Sequence, residues 1–266
     1  MEPAQHPGDL EHHIMRDLGF AVRPAGDEMH GSGVVVPEMW SPGTELLRTS
    51  ILAAWADMVA GYLSIRLFDP GVPVTLDLDV HLHRPPKGLA EVRMAGRIAK
   101  SGRSVSMLTI DIADETGHAL GFANATFMAA PNPSLRMPTI VRDDEGLLTP
   151  HPSRLTVPFA ERAGCERGGD GQASIPLRPD GLNASGTLNG GLLALVVEEA
   201  ALSVHGGGLA SLSMRYAQPV RVGPAVAHAD VDDGLGRVTV TDAGRDARLA
   251  VIATTRAFGE LVQQQA

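Results

Sequence analysis

Two carboxylates stand almost alone in apolar surroundings. Residues 46–63 read LLRTSILAAWADMVAGYL and residues 187–204 read TLNGGLLALVVEEAALSV; laid over each other without a gap, Asp57 falls on Glu198. Asp57 is the only charged residue between Ile51 and Leu63, and Glu198 and its neighbour Glu199 are the only charges of the second run. A carboxylate in an apolar setting is costly without a partner. It serves either as general base or nucleophile, or as an acceptor that pins a loop. The first role is expected for Asp57 and the second for Glu198.

Ahead of the second run lies Asn183-Ala184-Ser185-Gly186-Thr187-Leu188-Asn189-Gly190-Gly191. Amides at a helix N-terminus lack intrahelical partners and carry partial positive charge. Gly190 and Gly191 let a carbonyl oxygen approach them, which makes a candidate oxyanion hole. Asn183 and Asn189 can orient the carbonyl or a water. The plainer alternative is a cap and a turn. Nine residues at 100° each set Glu198 about half a turn from Asn189 and ~13 Å along the axis. A carboxylate serving this loop is therefore expected from another unit, which points to Asp57. The loop ahead of the first run, Trp40–Arg48, has Pro42-Gly43 but neither Asn nor a glycine pair. One competent and one degenerate site per chain are expected.

The elements that must position these groups repeat as well, and a long internal repeat fixes architecture before any motif does. A first strand is expected at 31–39 and a buried helix at 46–66, followed by strands at 74–84, 89–99, 104–113 and 118–129. The second half repeats the order with a strand at 172–178, a helix at 188–204, and strands at 209–218, 225–232, 237–242 and 247–258. Residues 130–153 have the proline- and charge-rich composition of a linker. The domains expected are an N-terminal arm (1–29), a first unit (30–130), a linker (131–153) and a second unit (154–266). A helix apolar all round must be covered on all sides, and a curved antiparallel sheet wrapped around it does this. That is the hotdog arrangement. The fold expected is α+β, a tandem or double hotdog of two antiparallel sheets, each wrapped around a long central helix.

The loop resembles the signature of PaaI-like acyl-CoA thioesterases of the hotdog superfamily, in which an Asn, a Gly and a His-Gly-Gly step lead into a helix that carries an Asp further on. Asn183, Gly186, Gly190, Gly191 and the Glu198 position match. Asn189 stands where the family usually has His, and Glu198 where it usually has Asp. The resemblance extends to both halves and includes the turn Lys100-Ser101-Gly102-Arg103-Ser104. It implies hydrolysis of an acyl-CoA thioester to free acid and CoA, without bound cofactor, at a composite site shared between paired units. Asp57 would be base or nucleophile, Asn183 and Asn189 would position substrate, and the Gly190 and Gly191 amides would bind the oxyanion. Lys100, Arg103 and Arg237, with Arg97 and Arg245, lie at or beside hairpin turns and could bind CoA phosphates; solvated surface charge is the alternative. Two rival functions remain: a non-catalytic acyl-CoA-binding hotdog, supported by the absence of His at 189, and a hotdog dehydratase or hydratase, whose usual His is missing from both loops.

Composition narrows the rest. The chain has 266 residues, 44% hydrophobic and 20% charged, with net charge −9 and pI about 5.5. That field repels polyphosphate, so no nucleic-acid partner is expected. Asp77, Asp79, His81 and His83 share one strand face; His-x-His could hold a metal, but regular alternation reads as a polar sheet face, so no metal is expected. There is no GxSxG, P-loop or Rossmann fingerprint. A single cysteine, Cys165, suits a reduced, cytoplasmic protein. The N-terminal segment lacks an apolar signal core, and no apolar stretch reaches ~18 uninterrupted residues, so no membrane partner is expected. Unpaired sheet edges invite pairing, so the two halves are expected to pack side by side through a shared sheet, and a homodimer of double hotdogs is expected.

Overall fold

The computed structural model describes residues 13–137 and 152–259. The first half contains β1 (Ala21–Ala25), β2 (Glu28–Val34), α1 (Thr49–Phe68), β3 (Pro73–Leu82), β4 (Glu91–Ser101), β5 (Val105–Asp114) and β6 (Ala119–Ala129). The second contains α2 (Phe159–Ala163), β7 (Glu166–Gly169), β8 (Gln172–Ile175), α3 (Gly190–His205), β9 (Leu209–Tyr216), β10 (Ala225–Asp232), β11 (Leu235–Asp242) and β12 (Arg248–Ala257).

The two sheets expected, one per half, are joined side by side as expected into one continuous sheet of twelve strands, ordered β1-β2-β4-β5-β6-β3-β9-β12-β11-β10-β8-β7. Each half contributes six strands in matching order, and the halves meet where β3 pairs antiparallel with β9. The seam runs over Asp77–Arg215, Leu78–Met214, Asp79–Ser213, Val80–Leu212 and His81–Ser211. Pairing the inner edges removes two of the four exposed edges that separate sheets would have. On the outward face of the seam, Arg215 bridges Asp79 at 2.6 Å and Asp77 at 3.3 Å.

α1 is long because nothing in its 20 residues breaks it, and it stops one residue before Asp69-Pro70, where a proline would lose its helical donor. By length and composition it could cross a membrane, but here it is the core helix. Trp55 is fully buried and stacks on Phe20 at a centroid distance of 4.9 Å. The sheet admits this helix by omitting side chains: a Cβ on Gly96 would lie 2.4 Å from Val59 Cγ1. α3 is capped by Gly206, whose positive φ of 71° is one that glycine adopts without strain. The two helices pack on each other. Where they touch, a Cβ on Gly191 would come within 2.6 Å of Ala54 Cβ.

Several boundaries differ from the sequence reading. The arm drawn at 1–29 includes β1 and the start of β2, so residues 21–29 belong to the sheet; residues 1–12 lie outside the described residues. The strand expected at 31–39 is β2, at Glu28–Val34, and a 3-10 turn follows at Pro37–Met39. α2 and β7 were not anticipated. Most of the expected linker, residues 138–151, lies outside the described residues.

Candidate active site

The composite geometry starts at the N-terminus of α3. Asn189 is its N-cap (φ −61°, ψ 142°), and its side-chain oxygen accepts from Gly191 N–H at 2.8 Å. The Gly190 N–H has no acceptor among the described residues. A Cβ placed on Gly190 would lie 3.5 Å from Asp57 Oδ2 and 3.3 Å from Tyr216 Oη. Asp57, from the first half, thus faces the helix terminus of the second. Its other oxygen, Oδ1, accepts from Thr75 Oγ1 at 2.8 Å. Burial pushes the Asp57 carboxyl up to about 6, and the Thr75 hydroxyl offsets only part of that shift. A carboxylate so placed is a competent proton acceptor near neutral pH.

Two assignments change in detail. Gly191 N–H is occupied by the Asn189 cap, so Gly190 carries the open amide of this turn. Asn183 Oδ1 is spent inside its own loop, accepting from Ser185 N (3.0 Å), Ser185 Oγ (2.7 Å), Thr187 N (3.2 Å) and Thr187 Oγ1 (3.1 Å). It shapes the approach to α3 and presents no free oxygen to a substrate. Gly191 also has a packing reason to lack a side chain, namely Ala54.

Glu198 lies against the other helix terminus. Its Oε1 accepts from Thr49 N (2.8 Å) and Ser50 N (3.3 Å), its Oε2 from Ser50 Oγ (2.6 Å), and Arg48 lies 3.4 Å away. Arg48, 1% exposed, also pairs with Glu199 at 2.5 Å, and Glu199 pairs with Arg167. Burial pushes the Glu198 carboxyl up, opposed by Arg48 and Ser50. Every oxygen of this carboxylate is already engaged. Beside this cluster, burial pushes the Cys165 thiol up to about 12, which keeps it an inert thiol near neutral pH.

Thr75 and Tyr216 escaped the sequence reading. Strict alternation puts Thr75 on the outward face with Asp77. A bulge breaks the register between them (Thr75 opposite Phe127, Asp77 opposite Thr126) and turns Thr75 toward α1. Tyr216 carried a usable signal: Leu212, Met214 and Tyr216 alternate on the inward face of β9.

Cation placement follows from register. Ser101, Ser106, Phe127 and Thr75 form one row across β4, β5, β6 and β3, so the hairpin carrying Lys100 and Arg103 lies at the Asp57 end. At about 4.8 Å per strand that hairpin is ~14 Å from Thr75. Arg237 is not there. It pairs opposite Asp230 and lies in the row of Thr254 and Ser213 at mid-sheet, beside the acidic hairpin Asp232-Asp233. Among the described residues no cluster of three or more His, Cys, Asp or Glu could hold a metal. A cavity of about 600 Å³ involves β1, β2, β4 and β5 and includes none of these site residues.

Residues 50–120 match the model of the Thioesterase superfamily. No curated protein sequence matches significantly. Among solved structures, an acyl-ACP thioesterase from Bacteroides thetaiotaomicron aligns at 13% identity and TM-score 0.58, covering 86% of this chain and 97% of that one. A protein assigned as an oleoyl thioesterase from Lactobacillus plantarum aligns at 14% identity and TM-score 0.60, covering 88% and 96%. A protein assigned as a thioesterase II from Thermobifida fusca aligns at 15% identity and TM-score 0.58, covering 92% and 97%. At such identities the structural likeness speaks for the fold. That fold is a hotdog, and the match over residues 50–120 supports thioester hydrolysis as its chemistry.

Proposed function

We propose that the protein is a double-hotdog acyl-CoA thioesterase of the PaaI-like group, with one composite site per chain between its halves. The observation that carries this reading is the position of Asp57: its Oδ2 faces the glycine-lined terminus of the opposite helix, while Oδ1 is held by Thr75. Water attacks the thioester carbonyl carbon, and Asp57 takes the proton. The carbonyl π electrons move onto oxygen, next to the Gly190 amide at the positive end of α3. Collapse of the tetrahedral intermediate re-forms C=O and breaks C–S, and the thiolate leaves with the proton from Asp57. Direct attack by Asp57 is the other route open to a carboxylate here. Label in the Asp57 side chain after single-turnover hydrolysis in ¹⁸O-water identifies direct attack, because water that opens an acyl-aspartyl anhydride at its aspartyl carbonyl leaves its oxygen there, whereas general-base hydrolysis puts label only in the product acid.

Lys100 and Arg103, at the same sheet end, supply charge for the CoA phosphates. We further propose a cytoplasmic homodimer, formed through edges and outward faces of the sheet. The deciding experiment mixes purified protein with short, medium, long and aromatic acyl-CoAs and follows free thiol. Thiol release supports the reading. Binding without release indicates the non-catalytic binder, and loss of enoyl absorbance without thiol indicates a hydratase.

A further inference from the structure

Resting on the hydrolase reading above, we propose that Tyr216 is a catalytic residue of the Asp57 site, whose hydroxyl donates a hydrogen bond to the thioester carbonyl oxygen as it becomes an oxyanion.

Three observations converge on it. Its Oη and Asp57 Oδ2 flank the same point above Gly190, at 3.3 and 3.5 Å from where a Cβ would stand. Glycine is therefore what leaves that point open. Next, the hydroxyl is poorly used in the free protein: it reaches Gly190 O at 3.3 Å and Met214 Sδ at 3.7 Å. Both are long for their type, and the carbonyl of Gly190 sits inside a helix where it can accept from the next turn. An oxyanion is a stronger acceptor than either. Finally, the residue is specific to this site. The five seam pairs centre on Asp79–Ser213. Rotation about that centre carries Tyr216, three residues after Ser213, onto Leu82, three after Asp79. At the Glu198 end the same place therefore holds an apolar side chain.

The groups facing Tyr216 keep it a donor. Burial and the neighbouring Asp57 carboxylate both hold its hydroxyl well above the ordinary tyrosine range. It therefore enters the reaction protonated and leaves it protonated. The proton inventory is unchanged: Asp57 moves the water proton to the departing sulfur, and Tyr216 only shares its own. With the Gly190 amide, the oxyanion then has two donors, one from α3 and one from β9.

The test compares the intact protein with Tyr216→Phe and Asp57→Asn for thiol release from the acyl-CoA panel. Tyr216→Phe is expected to lower kcat ~10- to 1000-fold with KM changed less than threefold, the signature of a donor whose bond is weak in the bound substrate and strengthens in the transition state. A second readout uses an acyl-CoA carrying ¹³C at its carbonyl, bound to Asp57→Asn so that it does not turn over. The carbonyl stretch should rise in frequency in Asp57→Asn/Tyr216→Phe, because a polarising donor has gone; a packing role alone would not move it. If Asp57→Asn is inactive while Tyr216→Phe keeps full kcat, or if the stretch is the same in both backgrounds, the proposal is overturned and the hydrolase reading stands. If the unmodified protein releases no thiol from any acyl-CoA, the hydrolase reading fails and the proposal fails with it.

Discussion

The two helix termini of this molecule solve the same problem with different residues. At the α3 terminus the cap comes from within, since Asn189 accepts from Gly191 N–H. At the α1 terminus the equivalent position, 141 residues earlier, is Arg48, which makes no side-chain cap. Glu198 comes across from the other half and caps Thr49 and Ser50 instead. The same crossing carboxylate exists at both places, but only where the helix caps itself does it have an oxygen to spare. The neighbours follow suit. Gly190 and Gly191 become Thr49 and Ser50, which fill the space. Thr75, counted from the seam centre, becomes Leu209, and the basic turn Lys100–Ser104 becomes the acidic turn Asp232-Asp233. On the proposed reading, the carboxylate at the α3 terminus serves chemistry, while the matching contacts at the α1 terminus serve cohesion.

The largest effect expected from this contrast is loss of turnover in Asp57→Asn, ~100- to 10,000-fold in kcat, the range general acid–base groups supply. The same change should stabilise the fold. The folded-state pKa of Asp57, about 6, lies above the ordinary 3.8. Folding therefore favours the protonated form, and ionising Asp57 erodes stability as pH rises from about 4 to about 6. The Asn variant escapes that cost, so its melting temperature should match the parent near pH 4 and exceed it at pH 7.5, by as much as ~3 kcal/mol of stability for a shift of two units. Equal melting curves at pH 7.5 would show that Asp57 is not strained in the resting protein.

The opposite pattern is expected at the other terminus. Arg48→Met strands Glu198 without a cation and should destabilise by about 3–5 kcal/mol. Glu198→Gln keeps an acceptor for Thr49 N–H but loses the charge, and should cost about 2 kcal/mol. For Glu198→Gln, kcat should stay within threefold of the parent under conditions where the variant is folded. Thiol release falling as far as in Asp57→Asn, with an unchanged melting temperature, would mean two working sites.

A smaller effect is the pH profile of the parent enzyme. kcat/KM should rise as Asp57 ionises and level off above about pH 7, with the inflection near 6. In Thr75→Val the hydroxyl that favours the ionised form is gone, so the inflection should move to higher pH. A profile flat from pH 5 to 8 would remove Asp57 as the base.

Much of this contrast was legible in the sequence, because it sits on helices. Helical spacing is local, so an ungapped overlay of the two apolar runs aligned Asp57 with Glu198 and separated each from the loop of its own half. Strand extents were legible for the same reason. What escaped depended on register between distant segments. Thr75 is turned inward by a bulge that no period-2 pattern contains, and Tyr216 reaches the site only because β9 pairs with β3 across the seam. That the halves would share a sheet followed from their unpaired edges, but which strands would meet, and in what register, did not: edge pairing is a long-range choice. Arg237 lies beside its hairpin turn as expected, but nearness to a turn in sequence does not say at which end of the sheet the turn lies.

The smallest effect concerns those turns. If the phosphates of CoA lie at the Asp57 end, Lys100→Ala and Arg103→Ala should each raise KM two- to fivefold and leave kcat unchanged, since a contact made equally in ground and transition states shifts only binding. The effect should fade as salt is raised, because exposed charge contacts are screened over roughly 10 Å at 0.1 M. Arg237→Ala, beside the acidic turn, should leave KM where it was. Steady-state kinetics at low and high salt on the three variants decides the matter. An Arg237→Ala defect larger than that of Lys100→Ala would place the nucleotide end of the substrate at the Glu198 terminus. The cohesive half of the molecule would then be a binding surface as well, and the division of labour between the two termini would have to be redrawn.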